Sequence, residues 1–191
     1  MAVKTVQAVI NGVTTTLTYN STSKKYEATI TAPATSSYNN NDGHYFPVTI
    51  KATDEAGNVT TKNDTDATLG SSLQLRVKEK TAPAITITYP TASALIINNK
   101  PAIRWKVTDN DSGVNPDTIG ITIDSGSKVT GSAITKTAIT GGYDCTYTPT
   151  TALADGSHTI KIDAADNDGN AATQKLSLIH ISEPTRLALI S

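Results

Sequence analysis

The sequence predicts an all-β protein built of antiparallel sandwiches, and three observations carry that prediction. Apolar and polar residues alternate with a period of two over many short runs. Gly, Asn, Asp and Pro separate those runs as turns do. No stretch of helical length places apolar residues at a 3.6-residue period.

The elements follow in order. "TVQAVI" puts Val6, Ala8 and Ile10 on one face, and Asn11-Gly12 then marks a tight hairpin, whose central residues need positive φ. "VTTTLTY" returns, followed by "KYEATIT" with Tyr26, Ala28 and Ile30 in phase. "FPVTIKAT" aligns Val48, Ile50 and Ala52, and "SLQLRVK" aligns Leu73, Leu75 and Val77. In "KEKTAP", Lys78 to Pro83, charge and Pro replace the alternation, so it reads as a linker. Beyond it, "AITITY" has Ile85 and Ile87 in phase, and "AIRWKVTD" turns Ile103, Trp105 and Val107 one way and Arg104, Lys106 and Thr108 the other. "TIGITID" offers Ile119, Ile121 and Ile123; "YDCTYT" offers Tyr143, Cys145 and Tyr147; "HTIKIDA" offers His158, Ile160, Ile162 and Ala164.

The chain repeats itself. "VTIKATDEAGNVTT" from Val48 and "IKIDAADNDGNAAT" from Ile160 share apolar-x-apolar-x-Ala-x-Asp-x-x-Gly-Asn at an offset of 112. Upstream, Val6, Ala8 and Ile10 correspond to Ile119, Ile121 and Ile123, and Tyr26 to Tyr143. The second half has two strands, around 84–89 and 101–109, before its "TIGITID" strand; the first half begins at the equivalent of that third strand. The first module is therefore expected to lack its first two strands, and Met1 to lie inside a longer natural chain, because a sandwich short of two strands leaves apolar faces and edges open. The expected organisation is a partial module over 1–79, a full module over 80–180 and a non-native tail over 181–191.

Bulk properties exclude several function classes. A length of 191 residues suits one or two domains. With 37% hydrophobic residues and a single Trp and Phe, the cores must be made of Val, Ile, Leu and Ala. The net charge is −1 with scattered basic residues, so no positive stripe awaits a nucleic acid. No apolar run approaches the roughly 20 residues of a membrane span, so no membrane insertion is expected in this stretch. The opening "MAVKTVQAVI" is not a secretion signal, and Cys145 is alone, so there is no internal disulfide.

"KTAPAITITYP" as a module opening, "IRWKVTDNDSGV" as a second strand and loop, and "HTIKIDAADNDGN" as a penultimate strand and loop resemble bacterial Ig-like domains. These are tandem modules of surface adhesins, secreted enzymes and phage tail proteins. The resemblance covers nearly all of 80–175 and the later strands of the first half. It implies immunoglobulin-like antiparallel sandwiches of about seven strands in tandem, and it is poor in functional detail because such modules carry many tasks. "LSLIHISEPTR" from Leu176, with the following "LALIS", resembles instead a translated sequencing-library adapter, and residues 176–191 are set aside from the functional reading.

"DAADNDGNAAT", residues 163–173, is the densest cluster of acids. An EF-hand does not fit: with Gly169 at the invariant glycine, Ala164 falls on the first ligand position and Lys175 on the last. In a sandwich, however, the loops after "IRWKVT" and "HTIKIDAA" emerge at one pole. Asp109 and Asp111 would then face Asp166 and Asp168, a candidate calcium site with Asn110 and Asn167 as further oxygen donors. The alternative is a plain turn in which Asp109 and Asp166 accept backbone N–H bonds while Gly113 and Gly169 supply positive φ. The first module's "DEAGN" keeps Asp54 and Gly57 without a second matching Asp, which supports the turn.

No catalytic site is expected. His44 lies in a polar loop, His158 begins a strand, and Cys145 sits in the apolar phase of its strand, where a buried thiol is inert. Four solvated acids at a loop pole have no apolar pocket to raise one pKa. "SSYNNNDGHYF" holds Tyr38 and Tyr45 among asparagines as a candidate sugar-binding pair, with an ordinary loop anchored by Phe46 as the alternative. The expected function is a non-catalytic spacer or adhesion module of a bacterial cell-surface or secreted protein. Its partners would be neighbouring Ig-like modules and a surface glycan or host protein, its location extracellular. The alternatives are a structural module of a phage tail or baseplate, located in the virion, and an accessory carbohydrate-binding module of a polysaccharide-degrading enzyme.

Overall fold

A computed structural model describes residues 2–172 and 175–181, with the side chains of 175–178 left aside. The chain divides into two compact units, residues 1–79 and 80–191. Of the expected tail, residues 182–191 lie outside the described residues.

Unit 1 is a single antiparallel sheet. Its strands are β1 (Val3–Ile10), β2 (Val13–Asn20), β3 (Lys25–Glu27), β4 (Phe46–Asp54), β5 (Val59–Lys62) and β6 (Gln74–Leu75). The order is β3-β2-β1-β4-β5, with β6 on the start of β4. Asn11 and Gly12 turn β1 into β2 with φ of 48° and 77°, and Ile10 pairs with Val13, the hairpin the sequence predicts. Val6, Ala8, Ile10 and Phe46 are buried.

Two predicted strands are shorter than their alternation implies. "KYEATIT" is extended in the sheet only over Lys25–Glu27, because β3 is an edge strand held by β2 alone. "SLQLRVK" becomes a 3-10 turn at Gly70–Leu73 followed by the two residues of β6. Asp66 explains the turn: its carboxylate accepts the N–H groups of Thr68 and Leu69, and its carbonyl that of Gly70. Lys62 beside it and those backbone donors hold the Asp66 carboxyl down at about 2.

Unit 2 is a sandwich of two four-stranded sheets. Its strands are β7 (Ala84–Tyr89), β8 (Leu95–Ile96), β9 (Ile103–Thr108), β10 (Val114–Ile123), β11 (Thr135–Ile139), β12 (Gly142–Tyr147), β13 (Gly156–Asp166) and β14 (Lys175–Ile181). One sheet runs β10-β13-β14-β8 and the other β11-β12-β9-β7. Ile103, Trp105 and Val107 from β9 and Cys145 from β12 meet Ile119, Ile121, Ile160 and Ile162 from β10 and β13 in one core. Trp105 is 0% exposed while Arg104 and Lys106 face solvent, so the period-two reading of this strand holds. Leu176 to Ile181, set aside from the functional reading, completes the first sheet beside β13 and buries Ile179 and Ile181.

The fold is thus all-β, and the two units differ where the repeat was expected to be short. Unit 1 has no counterpart of β7 and β9 among the described residues. β1 and β4 correspond to β10 and β13, and the hairpin β2–β3 corresponds to β11–β12. With no β9-type strand to join, that hairpin stays on the edge of β1.

Candidate functional site

Two loops of unit 2 meet at one pole. The first, Asp109 to Gly113, links β9 to β10; the second, Asn167 to Ala172, follows β13. The Asp109 carboxylate accepts the N–H groups of Asp111 at 3.0 Å and Gly113 at 2.8 Å, and Gly113 takes the positive φ (82°) that closes the turn. Asp166 accepts the backbone N–H of Asn170 on one oxygen and its side-chain amide on the other, both at 2.7 Å. Asn167 ties the loops together: its backbone N–H and its side-chain amide both donate to the Gly113 carbonyl at 3.0 Å, and the amide also reaches the Ser112 carbonyl at 2.9 Å.

Of the four acids singled out in the sequence, the structure brings two together. Asp109 and Asp166 are both buried, with carboxylate oxygens within 4.8 Å of one another. Asp111 and Asp168 sit half-buried in the same loops and do not complete a cluster of that tightness with both. The turn geometry is repeated in unit 1. Asp54 accepts Asn58 N–H at 2.8 Å and its amide at 2.9 Å, and Gly57 has φ of 87° where Gly169 has 94°. The Asn58 side-chain and backbone donors hold the Asp54 carboxyl below its ordinary range. The motif Asp-x-x-Gly-Asn is therefore a turn in both units, whatever else unit 2 adds to it.

The aromatic loop of unit 1 uses its rings internally. The Tyr38 ring stacks on His44 at 4.0 Å between centroids and 8° between planes. The Tyr45 hydroxyl donates to Asp64 at 2.9 Å, and the Arg76 guanidinium lies 6.0 Å from its ring. That bond to Asp64 raises the Tyr45 phenol above its ordinary range. Asn41 accepts the N–H groups of Gly43 and Tyr45, and Asn40 donates to the Tyr45 carbonyl, so two of the asparagines fold the loop. Phe46 is buried, as the anchor reading expects. Tyr19 and Tyr26 form a cross-strand pair on β2 and β3 at 5.3 Å, with Tyr19 half exposed; their matching positions around the hairpin were the available signal.

His158 and Cys145 have structural surroundings. Both ring nitrogens of His158 face acceptors, the Asp124 carboxylate and the Ala154 carbonyl, each at 2.8 Å. Cys145 lies in the core, and burial pushes its thiol up to about 11. Sequence reasoning missed the His158–Asp124 pair. The signal was there: a His in the inward phase of a strand must find partners for both nitrogens.

Residues 83–162 match the model of a family described as bacterial Ig domain. Among solved structures, the chain is similar to CopC from Methylosinus trichosporium OB3b, at 19% identity over 55% of this chain and 99% of that one, with a TM-score of 0.40. It is similar also to fibronectin(III)-like modules of CbhA from Clostridium thermocellum, at 17% identity over 95% and 80% with a TM-score of 0.37. A third likeness is to dimeric latent PorU from Porphyromonas gingivalis, at 19% identity over 74% and 14% with a TM-score of 0.44. At these scores the likenesses decide nothing, and the sandwich rests on its own sheet order and register. Among curated proteins no sequence matches the chain.

Proposed function

We propose that this chain, whose second unit is a bacterial Ig-like domain, is a non-catalytic spacer and presenting segment of a bacterial cell-surface or secreted protein. One observation carries the reading: the same Asp-x-x-Gly-Asn turn, with the same four-residue hydrogen-bond pattern, closes a strand at the same offset in both units. Modules copied in series with a stiff turn at each end set distance and present loops, and they need no reacting groups. The side chains that chemistry would call on are otherwise engaged. Cys145 is in the core, and His158 is held by two acceptors. No helix among the described residues is long and apolar enough to cross a membrane. Partners of the segment are neighbouring Ig-like modules, with a surface glycan or host protein met through the loops. The test is the reading frame around the chain. An export signal and an anchoring segment support the proposal. Virion structural neighbours would replace it with a tail or baseplate module, and an adjoining polysaccharide-degrading domain with an accessory module.

Calcium at the loop pole is a second reading, favoured by the meeting of two buried carboxylates, Asp109 and Asp166. Ca²⁺ takes six to eight oxygens, so Asp111, Asp168 and loop carbonyls would have to join them. Its role would be to stiffen the pole of the module. A rise in melting temperature at millimolar calcium that disappears in Asp166→Ala supports the site. An unchanged melting temperature of the parent chain would sink it.

A further inference from the structure

The tip of the first hairpin is chemically unlike every other asparagine site in the chain. Asn11 is the single asparagine that glycine follows in the sequence. Asn11 and Gly12 are both exposed, and nothing stands within 4 Å of where a Gly12 side chain would be, so the tip is open to water. No hydrogen bond holds the Asn11 amide or the Gly12 N–H among the described residues. Asparagines elsewhere are tied. The side-chain amides of Asn20, Asn40, Asn58, Asn167 and Asn170 donate to Glu27, Tyr45, Asp54, Gly113 and Asp166 at 2.7 to 3.0 Å.

The strands around this tip are held unequally. β1 is paired on both sides, with β2 and with β4, and buries Val6, Ala8 and Ile10. β2 is paired with β1 and with the three residues of β3, and none of its side chains is buried. The two-residue turn sets the register of β2 from Ile10↔Val13 to Val6↔Leu17. It does so because both central residues take positive φ, 48° at Asn11 and 77° at Gly12, a conformation that asparagine, aspartate and glycine tolerate. An additional backbone atom in a turn of this length has no place, and the register that the turn sets is lost with it.

We infer that Asn11 is a site of spontaneous deamidation and that its isoaspartyl product releases the β2–β3 pair from β1. The Gly12 nitrogen gives up its proton and attacks Asn11 Cγ. The N–Cγ bond forms, the Cγ–Nδ2 bond breaks, and the proton departs with ammonia. Water then opens the resulting succinimide. Opening at Cγ leaves aspartate and an unchanged backbone, which keeps the turn. Opening at the backbone carbonyl leaves isoaspartate, whose main chain runs through Cβ and Cγ and is one atom longer. The attack needs rotation about the Asn11 Cα–C bond, which the closed turn restricts, so the reaction passes through opening of the tip. With Val13 63% exposed and Thr14 exposed, that opening uncovers little apolar surface. The inference is independent of where the protein is located and of what it binds.

The experiment incubates the full chain at pH 8 and maps it by proteolysis and mass spectrometry, with enzymatic methylation of isoaspartate as a second readout. The fragment holding Asn11 is expected to gain one mass unit at least about ten-fold faster than any other asparagine-containing fragment, because hydrogen bonds hold the other amides back. The isoaspartyl chain, separated chromatographically, is expected to lose hydrogen-exchange protection at residues 13–20 and 25–27 and to keep it at 46–54. Asn11→Asp is expected to keep protection at all three and to show no mass change at this position. A synthetic peptide of residues 8–15 gives the rate without the fold. Conversion of the peptide with none in the native chain means that the tip stays closed, and overturns the proposal. So does conversion of Asn11 no faster than that of the other asparagines, or an isoaspartyl chain whose β2 is as protected as in the parent. Lost protection in Asn11→Asp overturns it as well, since the longer backbone would then not be the cause.

Discussion

The carboxylate of Asp166 holds both nitrogens of Asn170 at 2.7 Å, and it does so at 1% exposure, at the exit of a strand whose preceding inward residues are core. A buried acceptor paired with a backbone and a side-chain donor is a turn lock, and its removal strands two donors. Asp166→Ala is therefore expected to destabilise unit 2 by about 2 kcal/mol, a fall in Tm on the order of 10 °C for a domain of this size. Urea unfolding with intrinsic Trp fluorescence reports unit 2 selectively, since Trp105 is the single tryptophan of the chain. A midpoint within error of the parent would remove the lock. A double-mutant cycle with Asn170→Ala should return a coupling of about 1 kcal/mol or more, because the two side chains act as one unit.

Trp105 yields a sharper comparison. Its indole is fully buried, and Nε1 has no hydrogen-bond partner among the described residues. Trp105→Ala removes the largest fully buried side chain and should cost about 3–5 kcal/mol. Trp105→Phe leaves a smaller cavity and also removes the orphaned N–H, so its cost should stay below about 2 kcal/mol. Arg104→Ala, one residue away on the solvent face, should stay within about 0.5 kcal/mol. Chemical denaturation of the three variants checks the order; a costly Arg104→Ala with a neutral Trp105→Ala would invert the facing of β9.

These contrasts also explain what was legible in the sequence. Local grammar fixes what nearest neighbours decide. Asn11-Gly12 must turn, Trp105 must point with Ile103 and Val107, and Asp166 with Gly169 must close a strand. Pairings between distant segments are set by tertiary register, which one strand's alternation does not encode. Tyr45 with Asp64, Asn167 with Gly113, and His158 with Asp124 are of this sort. The shortened β3 has the same cause: "KYEATIT" alternates well enough to be a strand, but extension needs a neighbour, and unit 1 supplies one on a single side. At the candidate site the convergence of the two loops was readable from topology. That the acids would be occupied by Asn170, Asp111 and Gly113 donors was readable only as one of two alternatives.

Cys145 should behave as an inert thiol. It is fully buried, and burial pushes its pKa from 9.0 to about 11. The shift alone lowers the thiolate fraction at pH 8 by roughly 100-fold, and steric access lowers the rate further. Ellman's reagent at pH 8 should leave the native chain unmodified over an hour-scale incubation and titrate one thiol in 6 M guanidinium. Rapid reaction of the native chain would place Cys145 outside the core.

The last prediction concerns pH. Both ring nitrogens of His158 face acceptors, and neutral imidazole has only one N–H to give, so the imidazolium fits the site best. Burial works against the charge, but the Ala154 carbonyl and then the Asp124 carboxylate outweigh it and hold His158 above its ordinary range. Burial likewise pulls Asp124 up, and the His158 ring and the Thr159 N–H more than offset it, leaving its carboxyl below the ordinary range. The signs follow. The His158 contribution to stability is fully present below the unfolded value of about 6.5 and is lost as pH rises through the higher folded pKa. The Asp124 contribution is present above about 3.9 and is lost as pH falls through its lower folded pKa. The clasp between β10 and β13 is thus fully formed between those two limits, from mildly acidic conditions to just below neutrality. An NMR titration should find the His158 ring midpoint above about 6.5, and Asp124→Asn should lower it. Denaturation between pH 6 and 8.5 should show the parent losing more stability than His158→Gln. A ring midpoint below the ordinary value, unmoved by Asp124→Asn, would mean that burial outweighs the carboxylate and that the clasp is formed by a neutral ring.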